Sequence, residues 1–188
     1  MTFLKTISLT AMAAAISFTA ATSIAGGHGV MVGGAEMVNT KNIVENASES
    51  ADHTTLVAAV VAADLAGLLS SEGPFTVLAP TNDAFAALPE GTVETLLMPE
   101  NIETLKTILS CHVVAASAMA ADVLKMIADG GGEATIGTAG GCSLTAKYDD
   151  NMVTFTDENG NVATVTIADV AQKNGVIHVI DTVLLPKS

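Results

Sequence analysis

The chain has 188 residues and a formal net charge of −13 at pH 7, from seven lysines, no arginine and 20 acidic residues. That balance offers nucleic acid no basic patch and is repelled by anionic lipid surfaces. With no Trp, one Tyr and five Phe, the core has to be aliphatic, and a sugar-binding face of stacked aromatics is disfavoured.

Met1 to Lys5 carries one positive charge, and an apolar run follows from Ile7 to Ala21. Ser23 and Ala25 stand at −3 and −1 to a cut before Gly26, so residues 1–25 read as a secretory signal peptide. A membrane anchor is the alternative, but the apolar run is short for a span and no basic stop-transfer cluster follows. No Cys follows the cut and no Arg-Arg pair precedes the run, which points to the general secretory route without lipid attachment. Cleavage near Ala25 leaves six lysines against 20 acids, a charge of −14, and a secreted or periplasmic protein. Residues 26–41 are rich in glycine and are expected to be a flexible leader, with His28 in solvent.

A short helix is expected over Asn42–Ser50, with Ile43, Val44 and Ala47 on its apolar side. Asp52 is placed to cap a second helix from about His53 to Leu65. Apolar residues surround most of that helix, so it should be central, with His53 at solvent in its first turn. The stretch GPFTVLAPTNDAFAALP, Gly73 to Pro89, is a strand (Phe75, Val77, Ala79) that Pro80 ends. A helix follows, capped by Thr81 or Asn82, with Asp83 suited to the helix dipole and Phe85 as its anchor. Thr92 and Pro99 open two more helices, the second presenting Ile102, Leu105, Ile108 and Leu109 at helical spacing. Cys111 to Val114 reads as a strand, and Ala120 to Ala128 as a short helix. Gly130-Gly131-Gly132 could cradle a phosphate, but no Lys-Ser/Thr follows, so it is a loop.

From Glu133 the apolar period becomes two. Leu144, Ala146, Val153, Phe155, Ala163, Val165 and Ile167 alternate with polar residues, the mark of half-buried antiparallel strands. Asp149-Asp150-Asn151 and Asn159-Gly160 mark hairpin turns. Asp157, Asn159 and Asn161 stand at calcium-loop spacing, but Val162 follows where that loop needs Gly, and a hairpin is preferred. The last strand, NGVIHVIDTVLLP, puts His178 on a half-buried face.

Cys111 and Cys142 form an even, small set, which in an exported chain favours a disulfide. It would close a loop of about 30 residues, worth on the order of 3 kcal/mol. Two buried thiols are the alternative; a metal site would need more ligands, and the adjacent His112 would face the other way on a strand. No G-x-S-x-G, H-E-x-x-H, C-x-x-C or dinucleotide fingerprint is present. No catalytic residue, metal ligand or cofactor is assigned, and the chain is expected not to be an enzyme.

The stretches GPFTVLAPTNDAFAALP and NGVIHVIDTVLLP resemble the two signatures of the fasciclin domain family, and ILSCHVV resembles the segment between them. The likeness covers residues 42–186. It implies an α+β fold, a β-sandwich or wedge with the N-terminal helices packed on it. It also implies adhesion through a cell-surface or matrix protein or glycan; the charge argues against nucleic acid and the short apolar run against a membrane span, and the oligomeric state stays open. The family's Tyr-His pair stands here as Cys111-His112, which puts adhesion through that tyrosine in doubt and suggests a covalent staple between strands. His112 and His178 are candidate binding residues, and a small-ligand site or enzyme pocket beside them is the rival function. Thr81, Asp83 and one of these histidines are expected to share a buried hydrogen-bond network.

Overall fold

The computed structural model describes residues 29–187; the expected signal peptide and His28 lie outside them. The described residues start with a hairpin, β1 (Val30–Val32) and β2 (Ala35–Met37), in place of the expected loose leader. The glycines at its tip explain the difference. Gly33 and Gly34 take φ of +57° and +78°, the left-handed pair that a two-residue hairpin turn requires. Flanking them, Val32 and Met37 each fall to 1% exposure, so the hairpin is part of the packed domain. Its tip also accepts a hydrogen bond from the Ala51 amide at the Gly33 carbonyl, 3.0 Å.

The helical layer follows. It comprises α1 (Ile43–Glu49), α2 (Thr54–Ala62), α3 (Ala66–Ser70), α4 (Asn82–Ala86), α5 (Thr92–Leu96) and α6 (Ile102–Cys111). Asn42 and Glu45 close α1 with a reciprocal capping box. Asp52 does not cap α2: it lies in a 3₁₀ turn, Ala51–His53, and the side chain that reaches the α2 amides comes from Asn82. His53, expected in solvent, is fully buried. The 3₁₀ turn rotates it inward, where its Nδ1 and the Ser50 hydroxyl share a 2.9 Å hydrogen bond.

Threaded through and after these helices are β3 (Phe75–Pro80), β4 (Val113–Val114), α7 (Ala120–Asp129), β5 (Glu133–Gly137), β6 (Ser143–Asp149), β7 (Met152–Thr156), β8 (Val162–Gln172) and β9 (Gly175–Ile180). Seven strands make one mixed sheet in the order β4-β3-β9-β8-β7-β6-β5. β3 and β9 pair in parallel, Phe75 opposite Gly175 through Pro80 opposite Ile180, and the other neighbours are antiparallel. Parallel pairs sit where both faces are covered, and these two strands are buried at almost every position. Val77, Ala79, Ile177 and Val179 face a first core with Leu56, Val60, Leu105 and Leu109 of the helices. Leu78 and Ile180, on the opposite face, join Leu144, Phe155, Val165 and α7 in a second core. Register shifts in β8 between Val165 and Val170 bend the sheet into the wedge of an α+β fold.

The segment 111–114 also differs from expectation. Cys111 is the last residue of α6 and His112 its helical cap, so only Val113 and Val114 extend as strand. The Cys111–Cys142 disulfide is formed, with Cα atoms 5.4 Å apart. It therefore joins the end of a helix to the loop before β6, and not two strands.

Candidate binding surface

The two long motifs meet at the ends of β3 and β9. The Thr81 amide donates to the Ile180 carbonyl at 3.2 Å, and the Thr81 hydroxyl accepts the Ala84 amide at 3.3 Å, so Thr81 is the cap of α4. Asn82 turns the other way. Its Oδ1 accepts the Thr55 amide at 3.0 Å and the Thr54 hydroxyl at 3.2 Å, while its Nδ2 donates to the Ala51 carbonyl at 2.8 Å. One asparagine thus ties the start of α4 to the start of α2. Phe85 is buried in the first core, Pro80 closes β3, and Asp83 stays exposed in the first turn of α4.

The expected network of Thr81, Asp83 and a histidine does not form. His112 donates from Nδ1 to the Ile108 carbonyl at 2.8 Å and accepts the Leu184 amide at Nε2, 3.0 Å. His178 accepts the Asp169 amide at Nδ1, 3.2 Å, and donates from Nε2 to the Ala118 carbonyl at 2.8 Å. All four ring nitrogens serve backbone groups, because His112 caps a helix that points at the C-terminal segment and His178 points across the sheet toward the 115–119 loop. Each imidazole is 2% exposed. The cavities beside them are about 30 Å³ at His112 and about 10 Å³ at His178. Those spaces suit a water at most, so neither histidine lines a ligand-sized pocket.

Burial pushes the His112 pKa down to about 4, against the Ile108 carbonyl and the Asp157 charge, which favour the proton. His53 is likewise held below the ordinary imidazole value by burial, against the Ala79 backbone and the Asp52 charge, and its Nε2 has no partner of hydrogen-bond geometry.

Asp157 organises the loop between β7 and β8. Its carboxylate accepts the amides of Asn159 and Asn161 at 2.9 Å each, the Asn161 Nδ2 at 2.8 Å and the Leu185 amide at 2.8 Å. Burial alone would raise this carboxyl's pKa; the hydrogen bonds outweigh it and hold the group below its ordinary value. Four N–H donors on one carboxylate describe a structural clamp, which is why the calcium-loop spacing there carries no ligand set. Among the described residues no cluster of three or more metal-ligating side chains occurs.

An accessible site lies at the opposite ends of β3 and β9; a second open concavity of about 440 Å³ lies over Phe85–Glu94. The first is an open groove of about 650 Å³, lined by Thr40, Glu45, Glu72, Ser117, Lys173 and neighbouring backbone. Asn174 braces it: Oδ1 accepts the Ile43 amide at 3.1 Å, and Nδ2 donates to the carbonyls of Leu69 and Ser71 at 2.7 and 2.8 Å. Gly175 is needed below, since a Cβ there would stand 2.0 Å from the Phe75 carbonyl oxygen.

The loop after β4, Ala115–Met119, reaches the groove at Ser117. Thr76 donates to the Ala116 carbonyl at 2.7 Å and accepts the Ala118 amide at 2.8 Å. His178 holds the Ala118 carbonyl, and Asp169 accepts the Ala120 amide at 2.6 Å. Yet Ala115, Ala116, Ser117 and Met119 remain exposed. Neither Thr76 nor Asp169 stood out in the sequence; the only signal at Asp169 is an acid inside an apolar strand, here a bulge residue with φ of 58°.

An exposed loop beside a polar groove, on a scaffold in which His53, His112 and His178 are sealed inside, belongs to a small α+β domain. The fasciclin domain profile matches residues 51–186, and the chain belongs to the fasciclin domain family. It is 54% identical to protein sll1483 of Synechocystis over 144 residues, 77% of this chain and 73% of that one. It is 34% identical to the immunogenic protein MPB70 of Mycobacterium bovis over 74% of this chain and 66% of that one. The FAS1 domain pair of the insect cell adhesion molecule fasciclin I superposes with a TM-score of 0.49 at 26% identity, covering 68% of this chain and 40% of that one. Among the described residues no helix is long and apolar enough to cross a membrane.

Proposed function

We propose that the chain is an exported adhesion module that binds a cell-surface or matrix protein or glycan through the groove and the Ala115–Met119 loop. The observation that carries this is the division of polar groups. Thr76, Asp169 and His178 are engaged in fixing the loop, while the loop's own exposed face is left without a role in the fold. A surface held rigid pays less entropy on binding, which favours recognition over a mobile tail. The groove is lined by hydroxyls, amides, two acids and one lysine, so it suits a polar partner that is not strongly anionic. Adhesion is also what the family resemblance implies. The engagement of both rings of His112 and His178 with backbone favours binding over catalysis.

The test is a binding screen of the exported chain against defined matrix proteins and polysaccharides by surface plasmon resonance, with Ser117→Arg and Lys173→Glu beside it. Retained folding with at least about tenfold weaker binding in both variants is the expected result. Binding that ignores both substitutions places the partner elsewhere. Mass spectrometry of the secreted form checks export, with Gly26 expected at its N-terminus.

A further inference from the structure

The seven-stranded sheet has two edges, and they are treated differently. At one edge β4 has only two residues, and the outward Val113 carbonyl is occupied by the Ala139 amide at 2.7 Å. At the other edge lies β5, Glu133–Gly137, five residues in continuous register with β6 and without a bulge. Natural edges are guarded by shortness, proline, inward-facing charge, lysine or a bulge. β5 has no proline, lysine or bulge; its one charge, Glu133, is paired with Lys147 at 3.2 Å on the solvent face, and Gly130 covers the Glu133 carbonyl at one end.

Parity shows which backbone groups are open. Beyond the register of β5 and β6, the Thr138 amide donates to the Cys142 carbonyl at 2.9 Å. In an antiparallel ladder every second residue bonds to the partner strand. Residues 138, 136 and 134 therefore bond to β6, and Glu133, Thr135 and Gly137 turn their N–H and C=O groups outward. No backbone hydrogen bond among the described residues is recorded at those outward groups. Glu133, Thr135 and Gly137 are also the exposed residues of the strand.

We infer that β5 is a self-association edge: two copies of this chain join β5 to β5, antiparallel, about a twofold axis at Thr135. The strand is complementary to itself in that register. Thr135 meets Thr135 of the second copy, and Glu133 meets Gly137, so the two acids are kept apart. Ala134 meets Ile136 on the face where both already lie against the second core. The Thr135 pair exchanges two hydrogen bonds, and each Glu133 amide reaches a Gly137 carbonyl, giving four. The Glu133 carbonyl is left out because Gly130 lies against it; a Cβ on Gly130 would stand 2.0 Å from that oxygen. The result is one continuous sheet across both copies. An isologous contact of this kind closes on itself and does not propagate into fibres. With about 14 negative charges on each mature copy, association strengthens as salt shortens the screening length from about 30 Å at 0.01 M to about 8 Å at 0.15 M.

Sedimentation velocity of the full exported chain, from micromolar to millimolar, tests this. The expected result is a monomer–dimer equilibrium that shifts toward dimer with added salt. Thr135→Pro removes an outward N–H that the β5–β6 ladder does not use, so the far-UV spectrum is unchanged and association weakens by about tenfold or more. Thr135→Lys, which keeps the backbone donor and adds a guarding charge, has the same effect should proline disturb the strand. Thr135→Cys cross-links to its counterpart on oxidation, since hydrogen-bonded partners stand at about 5.5 Å between Cα atoms. Thr154→Cys, inside the sheet, does not. A monomer at every concentration and salt, or a dimer that survives both Thr135→Pro and Thr135→Lys, overturns the inference.

Discussion

The two sides of the β3–β9 wall are locked by different chemistry. On the helical side the ties are amides. Asn46 bonds Val38 and Gln172, Asn174 bonds Ile43, Leu69 and Ser71, and Asn82 bonds the start of α2. On the strand side the C-terminal segment is held by an imidazole and a carboxylate, His112 on Leu184 and Asp157 on Leu185, while Thr76, His178 and Asp169 hold the loop after β4. Amide ties keep their hydrogen-bonding capacity at every pH, whereas an imidazole that accepts an N–H loses that capacity when it is protonated. The domain therefore has a helical side whose amide locks ignore acidity and a C-terminal segment whose His112 and Asp157 locks do not. Buried His53 is the exception on the helical side.

The largest expected effect comes from breaking the strand side directly. Phe155, 3% exposed in the second core, should cost about 3–5 kcal/mol as Phe155→Ala. Denaturant unfolding should still show one transition, because Leu78 and Ile180 share their strands with Val77 and Ile177 of the first core. Two separated transitions would show that the sides unfold independently. Next comes the disulfide, which ties the end of α6 to the strand side. Paired replacement of Cys111 and Cys142 by Ala should cost about 3 kcal/mol by the loop it closes, measured by the same unfolding curves.

Acid comes third, and it distinguishes the two sides most sharply. His112 has a folded pKa of about 4 against about 6.5 unfolded, so the folded state binds fewer protons in that interval. Its contribution is complete above pH 6.5 and lost as pH falls toward 4, on the order of 3 kcal/mol in all. His53 adds to the loss in the same direction. Asp157 acts lower: its folded pKa is depressed, so its contribution persists above the ordinary carboxylate value and disappears as pH falls below it. Hydrogen exchange as pH falls toward 4 should show the Leu184 amide, which His112 accepts, losing protection before the Leu185 amide, which Asp157 holds to lower pH. A His112→Gln variant should flatten the stability profile between pH 6.5 and 4, and an unchanged slope would remove His112 from the account.

The smallest effect contrasts two neighbours. Asn82→Ala should cost about 1–2 kcal/mol, the range of a lost helix cap. Exposed Asp83→Ala should stay within about 0.5 kcal/mol, as surface changes do. Thermal unfolding of both variants measures the difference.

Periodicity was enough to place the helices with apolar positions three and four apart, as at Leu105, Ile108 and Leu109, and the strands with strict alternation, as at Leu144 and Ala146. Turn chemistry foretold Asp150 and Asn151, which take φ of 47° and 66°. The same chemistry was present in Val32-Gly33-Gly34-Ala35, but three-residue strands give too little alternation to stand out from a glycine-rich tail. His53 and His112 were misplaced because a 3₁₀ turn and a helix cap rotate a side chain through an angle that period alone does not specify.

The amino-acid sequence by itself determined most of the helices and strands from Asn42 onward, the family and the pairing of Cys111 with Cys142 as the favoured outcome, since these rest on local pattern and on two long motifs. Tertiary structure alone decided which polar groups are left over for function. Asn82 caps a helix that starts 28 residues earlier, and His178 fixes a loop 60 residues away. Thr135 faces outward because of a register set by its neighbour strand. Each of these depends on a partner distant in sequence, and hydrogen-bond satisfaction of buried groups is a property of the assembled fold and not of any window along the chain.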